Sequence, residues 1–155
     1  MLLRCKMSVD APPETVFACV DQPEHIVQWV EGAVEHTYIS DRNPANPVGQ
    51  RFVQKLRMGK SVKEFQGEII AWQHPTHFGL QIPSPAYSSE AHFRISPEGA
   101  ARSTVEYSID VTLHKAIVRL LSPLLRVPLT FFVRKQIGRL KSCAEKLYRE
   151  RGGQR

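Results

Sequence analysis

Long uninterrupted apolar runs are missing from this 155-residue chain, and that absence removes the helical membrane-spanning class first. The nearest approach, Ala116 to Val133, is interrupted by Arg119, Pro123, Arg126 and Pro128. Each arginine at a bilayer centre costs about 2.5–3.5 kcal/mol, and the prolines break the helix a span would need. Cysteine is scarce too. Cys5, Cys19 and Cys143 are odd in number and far apart, with none of the close spacings of a zinc knuckle or redox motif. They read as reduced thiols of a cytoplasmic protein. The opening MLLRCKMSVD has no apolar core and no small-residue cleavage site, which argues against a signal peptide. Internal repeats, low-complexity segments, helix-turn-helix spacing and exposed aromatic platforms on the strands are all lacking, so repeat architectures and nucleic-acid binding are set aside.

What is there suits one domain over residues 1–150, with 151–155 as a loose tail. With 42% apolar and 23% charged residues the chain can build a core rather than stay disordered. Charge is polarised along it. From Lys115 onward 11 Lys and Arg face only Glu145 and Glu150, a net of +9, whereas the first 114 residues carry a net of −3. A solvated helix face is the default reading of that asymmetry. Anionic lipid, nucleic acid or an acidic partner are the alternatives.

Periodicity divides the chain. Leu3 to Val9 alternates as a half-buried strand does. Pro12-Pro13-Glu14 then opens a short helix with Val16, Phe17 and Val20 on one face; proline fits a first turn, and a glutamate there complements the dipole. Asp21-Gln22-Pro23 ends it, and Ile26 to Val30 forms a second short helix or turn stopped near Gly32. Six strands joined by short turns follow: Val34–Ser40, Gln50–Met58, Ser61–Trp72, the segment around Phe78-Leu80-Ile82, that around Ala91-Phe93-Ile95, and Ser103–Leu113. The last alternates most cleanly, with one wet and one buried face. Leu129, Val133, Ile137, Leu140, Ala144 and Leu147 then recur at steps of three and four, predicting a helix from about Leu129 to Arg149, roughly 30 Å long. Ala116 to Val127 is expected to be a separate apolar helix or lid, broken at Ser122-Pro123 and Val127-Pro128.

The predicted fold class is therefore α+β, a curved antiparallel seven-stranded sheet around a long C-terminal helix, with two short helices after strand 1. That order resembles the START-like superfamily, also called SRPBCC or Bet v 1-like, with its polyketide cyclase/dehydrase and lipid-transport relatives. Four segments carry the resemblance: Val9-Asp10-Ala11-Pro12-Pro13-Glu14-Thr15-Val16-Phe17; Asp21 followed by Trp29 and Val34; Val48-Gly49-Gln50-Arg51-Phe52; and Leu120-Leu121-Ser122-Pro123-Leu124-Leu125-Arg126. The resemblance implies a helix-grip fold with a cavity between sheet and helix for a lipid, polyketide or other hydrophobic molecule. It carries over no universal catalytic residue, because fold does not fix chemistry.

The expected cavity wall comprises Phe52, Gln54, Leu56, Met58, Phe78, Leu80, Phe93, Tyr107 and Ile109 on the strands, and Phe132 and Gln136 on the helix. Ordinary core packing is the rival reading for each. Gln54 stands out: it shares the face of Phe52 and Leu56, and a buried amide needs a partner, either a neighbour or a ligand. For an enzyme, Glu64, Glu68, His36 and Tyr107 are the acid/base candidates. A bulge at Gly67 could turn one glutamate inward and raise its pKa, though a strand glutamate ordinarily faces water. His74 and His77 lie three apart in a turn without nearby carboxylates or thiols, so histidines are expected on surface loops and neither a metal nor a cofactor is expected. Phe131 lies opposite the helix stripe. Packing within the chain is its first expectation; a dimer contact or a weak contact with an anionic membrane surface are the alternatives. Three functions follow: carriage of a hydrophobic small molecule without chemistry, a cyclase/dehydratase-type enzyme in the same cavity, and recruitment through the basic helices, by a monomer or homodimer.

Overall fold

The computed structural model describes residues 1–151. Its elements run β1 (Leu2–Val9), α1 (Pro13–Asp21), α2 (Pro23–Trp29), β2 (Ala33–Tyr38), β3 (Arg51–Met58), β4 (Ser61–Gln73), β5 (His77–Pro83), β6 (Tyr87–Pro97), β7 (Ser103–Leu113), α3 (Ala116–Leu120) and α4 (Ser122–Arg151). The seven strands form one antiparallel sheet in the order β1-β7-β6-β5-β4-β3-β2. Strands β2 to β7 are a plain meander, and β1 closes the far edge by pairing with β7, from Leu2 opposite Asp110 to Val9 opposite Ser103. Among the described residues no helix is long and apolar enough to cross a membrane.

Local chemistry sets the corner where the helices meet the sheet. Pro13 and Pro23 each occupy a first helical turn, with Glu14 and Glu24 beside them, and Gln22 ends α1 while opening α2. Trp29 Nε1 donates to the Cys19 carbonyl at 2.8 Å and ties the two helices together. Tyr38 Oη donates to the Asp21 carbonyl at 2.6 Å, and Arg42 grips both Asp21 carboxylate oxygens at 2.8 and 2.9 Å. Gly32 turns the chain from α2 into β2 at a φ of +80°, where a Cβ would lie 2.9 Å from the Arg57 carbonyl; only glycine fits without strain.

The core lies between the concave face of the sheet and the helices. Val133, Ile137, Leu140, Ala144 and Leu147 of α4 are buried with Leu3, Cys5, Val9, Val16, Phe17, Ile95 and Val105. Cys19 and Cys143, distant in sequence, meet there with their sulfurs 3.8 Å apart, and all three cysteines are free thiols.

Three expectations need correction. The long helix does not start at Leu129: only Ala116–Leu120 is separate, and α4 runs 30 residues through Pro128. Proline removes one backbone donor, leaving the Leu124 carbonyl without its partner. Leu124 and Pro128 are both exposed, so that carbonyl is on the watered side of the helix, and the loss is tolerated. Thr130 Oγ1 also donates to the Arg126 carbonyl at 2.7 Å within the same turns. The irregularity in β4 falls between Ile69 and Ala71, not at Gly67. Finally, the expected tail begins inside α4 at Arg151, and its remaining residues, 152–155, lie outside the described residues.

Candidate functional site

Alternation along the strands builds a cavity. Phe52, Gln54 and Leu56 on β3, Phe78, Leu80 and Ile82 on β5, Ser89, Ala91 and Phe93 on β6, and Tyr107 and Ile109 on β7 are each two residues apart, so each set faces one side of the sheet. That side is the concave one. His36 and Tyr38 add to it from β2, Val20, Ile26, Trp29, Val30 and Glu31 from the α1–α2 corner, and Phe132, Gln136 and Ile137 from α4. Together they enclose about 230 Å³. Larger depressions beside Met1 and Arg126 and beside Cys143 and Lys146 are more open to solvent and have walls of mixed polar and apolar character.

Ten of the eleven expected wall residues line this cavity: Phe52, Gln54, Leu56, Phe78, Leu80, Phe93, Tyr107, Ile109, Phe132 and Gln136. Met58 does not. It shares the face of Leu56, but it is the last residue of β3, beside the Gly59 turn, and is exposed. Of the acid/base candidates, His36 and Tyr107 are on the wall, whereas Glu64 and Glu68 are not. Glu64 pairs with Lys55 and Glu68 with Arg51, on the face opposite Gln54 and Phe52. Regular alternation persists until the shift after Ile69, too late to turn either glutamate inward. Not expected on the wall were Val20, Ile26, Trp29, Val30 and Glu31 at the corner, Ser89 and Ile137, and the extensions Ile82, Ala91 and Tyr38. The last three were signalled, since each continues a period-two pattern already begun by Leu80, Phe93 and His36.

Gly67 has a role other than a bulge. A Cβ there would lie 2.4 Å from Phe52 Cζ and 2.8 Å from the Gln81 carbonyl, so its absence lets the Phe52 ring lie down on β4. His36 stacks on that ring at 4.8 Å between centroids and 25° between planes. Phe93 in turn meets Tyr107 at 4.8 Å and Trp29 edge-on at 6.1 Å.

Few polar groups face this apolar wall, and most are already engaged. Tyr38 is bound to Asp21, and Gln136 Oε1 accepts from the Glu31 amide at 3.4 Å. His36 and Gln54 answer each other across the β2–β3 pair, with Nδ1 and Nε2 3.5 Å apart. The amide is a donor, so Nδ1 is the acceptor and the neutral imidazole carries its proton on Nε2. Burial pushes the His36 pKa down to about 4, which keeps the ring neutral at pH 7. Nε2 has no hydrogen-bond partner among the described residues. Tyr107, whose pKa burial raises, has no hydrogen bond to its hydroxyl among the described residues either. Buried donors without acceptors are rare in folded proteins, and His36 Nε2 is one on this cavity wall, which also carries the unpaired hydroxyl of half-buried Tyr107.

The remaining histidines serve elsewhere. His77 Nε2 and His92 Nδ1 are 2.8 Å apart, and His92 Nε2 lies 3.0 Å from Glu90 Oε2. His25 is buried, contrary to the surface expectation, and His74 packs edge-on against Phe17 at 4.9 Å. Among the described residues no three His, Cys, Asp or Glu side chains converge as metal ligands would.

Solved structures share this architecture. A START superfamily protein from Mycobacterium smegmatis superposes with a TM-score of 0.78 at 15% identity, covering 94% of this chain and 98% of that one. The ZhuI aromatase/cyclase from a Streptomyces species gives 0.75 at 11% identity over 99% and 97%. A Thermus thermophilus protein gives 0.73 at 17% over 93% and 97%. At these identities the likeness establishes the fold. No curated protein matches the chain. The family model described as polyketide cyclase/dehydrase and lipid transport matches residues 4–145, nearly the whole described chain, and the protein belongs to that family.

Proposed function

We propose that this protein binds and carries a hydrophobic small molecule in the cavity between sheet and α4, without transforming it. One observation carries the reading: a mostly aromatic and aliphatic cavity that retains unpaired polar groups on its wall. Ligand sites are built this way, with apolar walls for affinity and a few polar groups for orientation. Size narrows the class. An engineered apolar cavity of about 150 Å³ takes up benzene, so about 230 Å³ suits a compact ring system better than an extended acyl chain. His36 Nε2–H and the Tyr107 hydroxyl would then hydrogen-bond oxygen atoms on that ring system. We read the protein as a cytoplasmic monomer or homodimer whose partner is this small molecule, with no role for nucleic acid, metal or cofactor.

A cyclase/dehydratase-type activity is the second reading. It is favoured by the presence of His36 and Tyr107 on the same wall, and by a fold shared with an aromatase/cyclase. A neutral imidazole in a dry pocket can accept a proton, and Tyr107 can hold an oxyanion.

Native mass spectrometry of protein purified gently from its own host tests the first reading. A retained aromatic or polyketide-like mass is expected. An empty protein that also fails to bind a hydrophobic fluorescent dye would refute carriage. Tyr107→Phe and Gln54→Leu should alter ligand selectivity more than thermal stability. Turnover of the retained molecule, abolished by His36→Gln with binding preserved, would replace the first reading by the second.

A further inference from the structure

Helix α4 has a second apolar face that the fold leaves uncovered. Ile117, Leu120, Leu124, Val127 and Phe131 follow one another at steps of three and four. On α4 this places Leu124, Val127 and Phe131 on one stripe, opposite the buried stripe of Val133, Ile137 and Leu140. Leu120 is 80% exposed, Leu124 74%, Val127 66% and Phe131 74%. Phe131 therefore does not pack within the chain, contrary to its first expectation. A contiguous apolar ridge of this kind on a soluble fold marks a contact surface.

Charge identifies what covers it. Between Lys115 and Ser142 there are seven Lys and Arg and no Asp or Glu. Four are engaged: Lys135 with Glu31 at 3.0 Å, Lys141 with Glu145, Arg126 with the Leu2 carbonyl and Arg139 with the Trp29 carbonyl. Lys115, Arg119 and Arg134 have no carboxylate partner among the described residues, and Arg134 follows Phe131 by one helical turn. Two copies meeting along this ridge would set like charges against each other. Anionic headgroups would complement them, while the interface of the bilayer takes up the apolar side chains. Position agrees. Phe132, next to Phe131, is both half-exposed and part of the cavity wall, so the ridge lies beside the place where the cavity meets solvent.

We infer that α3 and the first turns of α4 dock on an anionic lipid surface, with Leu124, Val127 and Phe131 in the headgroup region and Arg134 against lipid phosphates. The docked protein presents the mouth of its cavity to the membrane.

Co-sedimentation with vesicles of phosphatidylglycerol and phosphatidylcholine in equal parts tests this. Binding is expected at low ionic strength, weakening as salt shortens the electrostatic reach, and at least tenfold weaker on phosphatidylcholine alone. Leu124→Gln with Phe131→Gln changes no charge and should reduce anionic-vesicle binding about tenfold; Arg134→Gln should reduce it several-fold. Both variants alter exposed positions, so thermal unfolding and dye uptake by the cavity should match the parent. Phe131→Trp should emit at shorter wavelength on vesicles and be quenched by brominated lipid. No binding to anionic vesicles at low salt would overturn the inference, as would binding indifferent to the Leu124→Gln, Phe131→Gln pair. A dimer abolished by that pair, without vesicle binding, would give the ridge to a second copy and overturn it equally. Vesicle binding that persists in a protein whose cavity takes up neither dye nor ligand would support docking while refuting carriage.

Discussion

The two halves of α4 carry the same kind of side chain at the same spacing and meet opposite fates. From Val133 toward the C-terminus, Val133, Ile137, Leu140, Ala144 and Leu147 are buried against β1 and α1. In the N-terminal half, Leu124, Val127 and Phe131 project away from the sheet. The cavity begins where one regime gives way to the other, at Phe132 and Gln136. Periodicity thus says which residues share a face, and the rest of the fold says whether that face is covered. One half holds the domain together; the other leaves space beneath it and an apolar ridge above.

The largest expected effect separates the halves directly. Leu140→Ala removes a fully buried side chain and should cost about 2–5 kcal/mol in urea unfolding. Phe131→Ala, at an exposed position, should stay within about 0.5 kcal/mol. Equal losses would mean that Phe131 is covered in solution and would erase the contrast.

Acid probes the cavity end. The His36 pKa falls from 6.5 in the unfolded chain to about 4 in the fold. Between those values the unfolded state binds more protons, so stability is full above pH 6.5 and declines as pH falls toward 4. The loss is about 3 kcal/mol at 1.36 kcal/mol per pKa unit. Glu98 and Glu145, whose carboxyls are held below their usual range by hydrogen bonds and nearby cations, also lose stabilisation in acid. Comparing the urea midpoints of the parent and His36→Gln across pH isolates the histidine. A parallel pair of curves would show that His36 titrates normally.

One substitution made at both ends should have opposite consequences. Ala144 is fully buried in the packed half, and Ala144→Leu should overpack it by about 1–3 kcal/mol. Ala91 is also buried but faces the cavity. Ala91→Leu has somewhere to go. It should leave stability unchanged or raise it by about 0.5–2 kcal/mol while suppressing dye uptake. Calorimetric melting and dye titration of the two variants read both quantities.

Much of this was legible in the residues. The alternation of Phe52-Gln54-Leu56 and of Tyr107-Ile109 fixes which side chains share the concave face. The stripe through Leu140 and Leu147 announces the helix that grips it. Other features depend on information that local pattern does not contain. Pro128 looked like a helix boundary because its cost depends on which side of α4 faces water, and that is a tertiary fact. Met58 has the right parity but ends its strand, where it is left exposed. Gly67 looked like a bulge because a missing side chain signals either irregular backbone or close approach, and only the Phe52 ring decides between them. The Cys19–Cys143 contact had no local signal at all.

The smallest stability effect is the most informative about function. Tyr107 is half-buried on the cavity wall, and its hydroxyl has no hydrogen bond among the described residues. Tyr107→Phe removes only that oxygen. No protein acceptor loses a partner, so unfolding should shift by less than about 0.5 kcal/mol. If a ligand oxygen meets the hydroxyl, affinity for that ligand should fall about tenfold, the worth of about 1.4 kcal/mol, while a ligand lacking the oxygen should bind unchanged. Isothermal titration with a hydroxylated or carbonyl-bearing ring compound and its deoxygenated counterpart makes the comparison. A melting temperature lowered in step with affinity, for both ligands alike, would instead make Tyr107 part of the packing. The cavity end of the molecule would then be core after all, differing from the Leu140 end only in density.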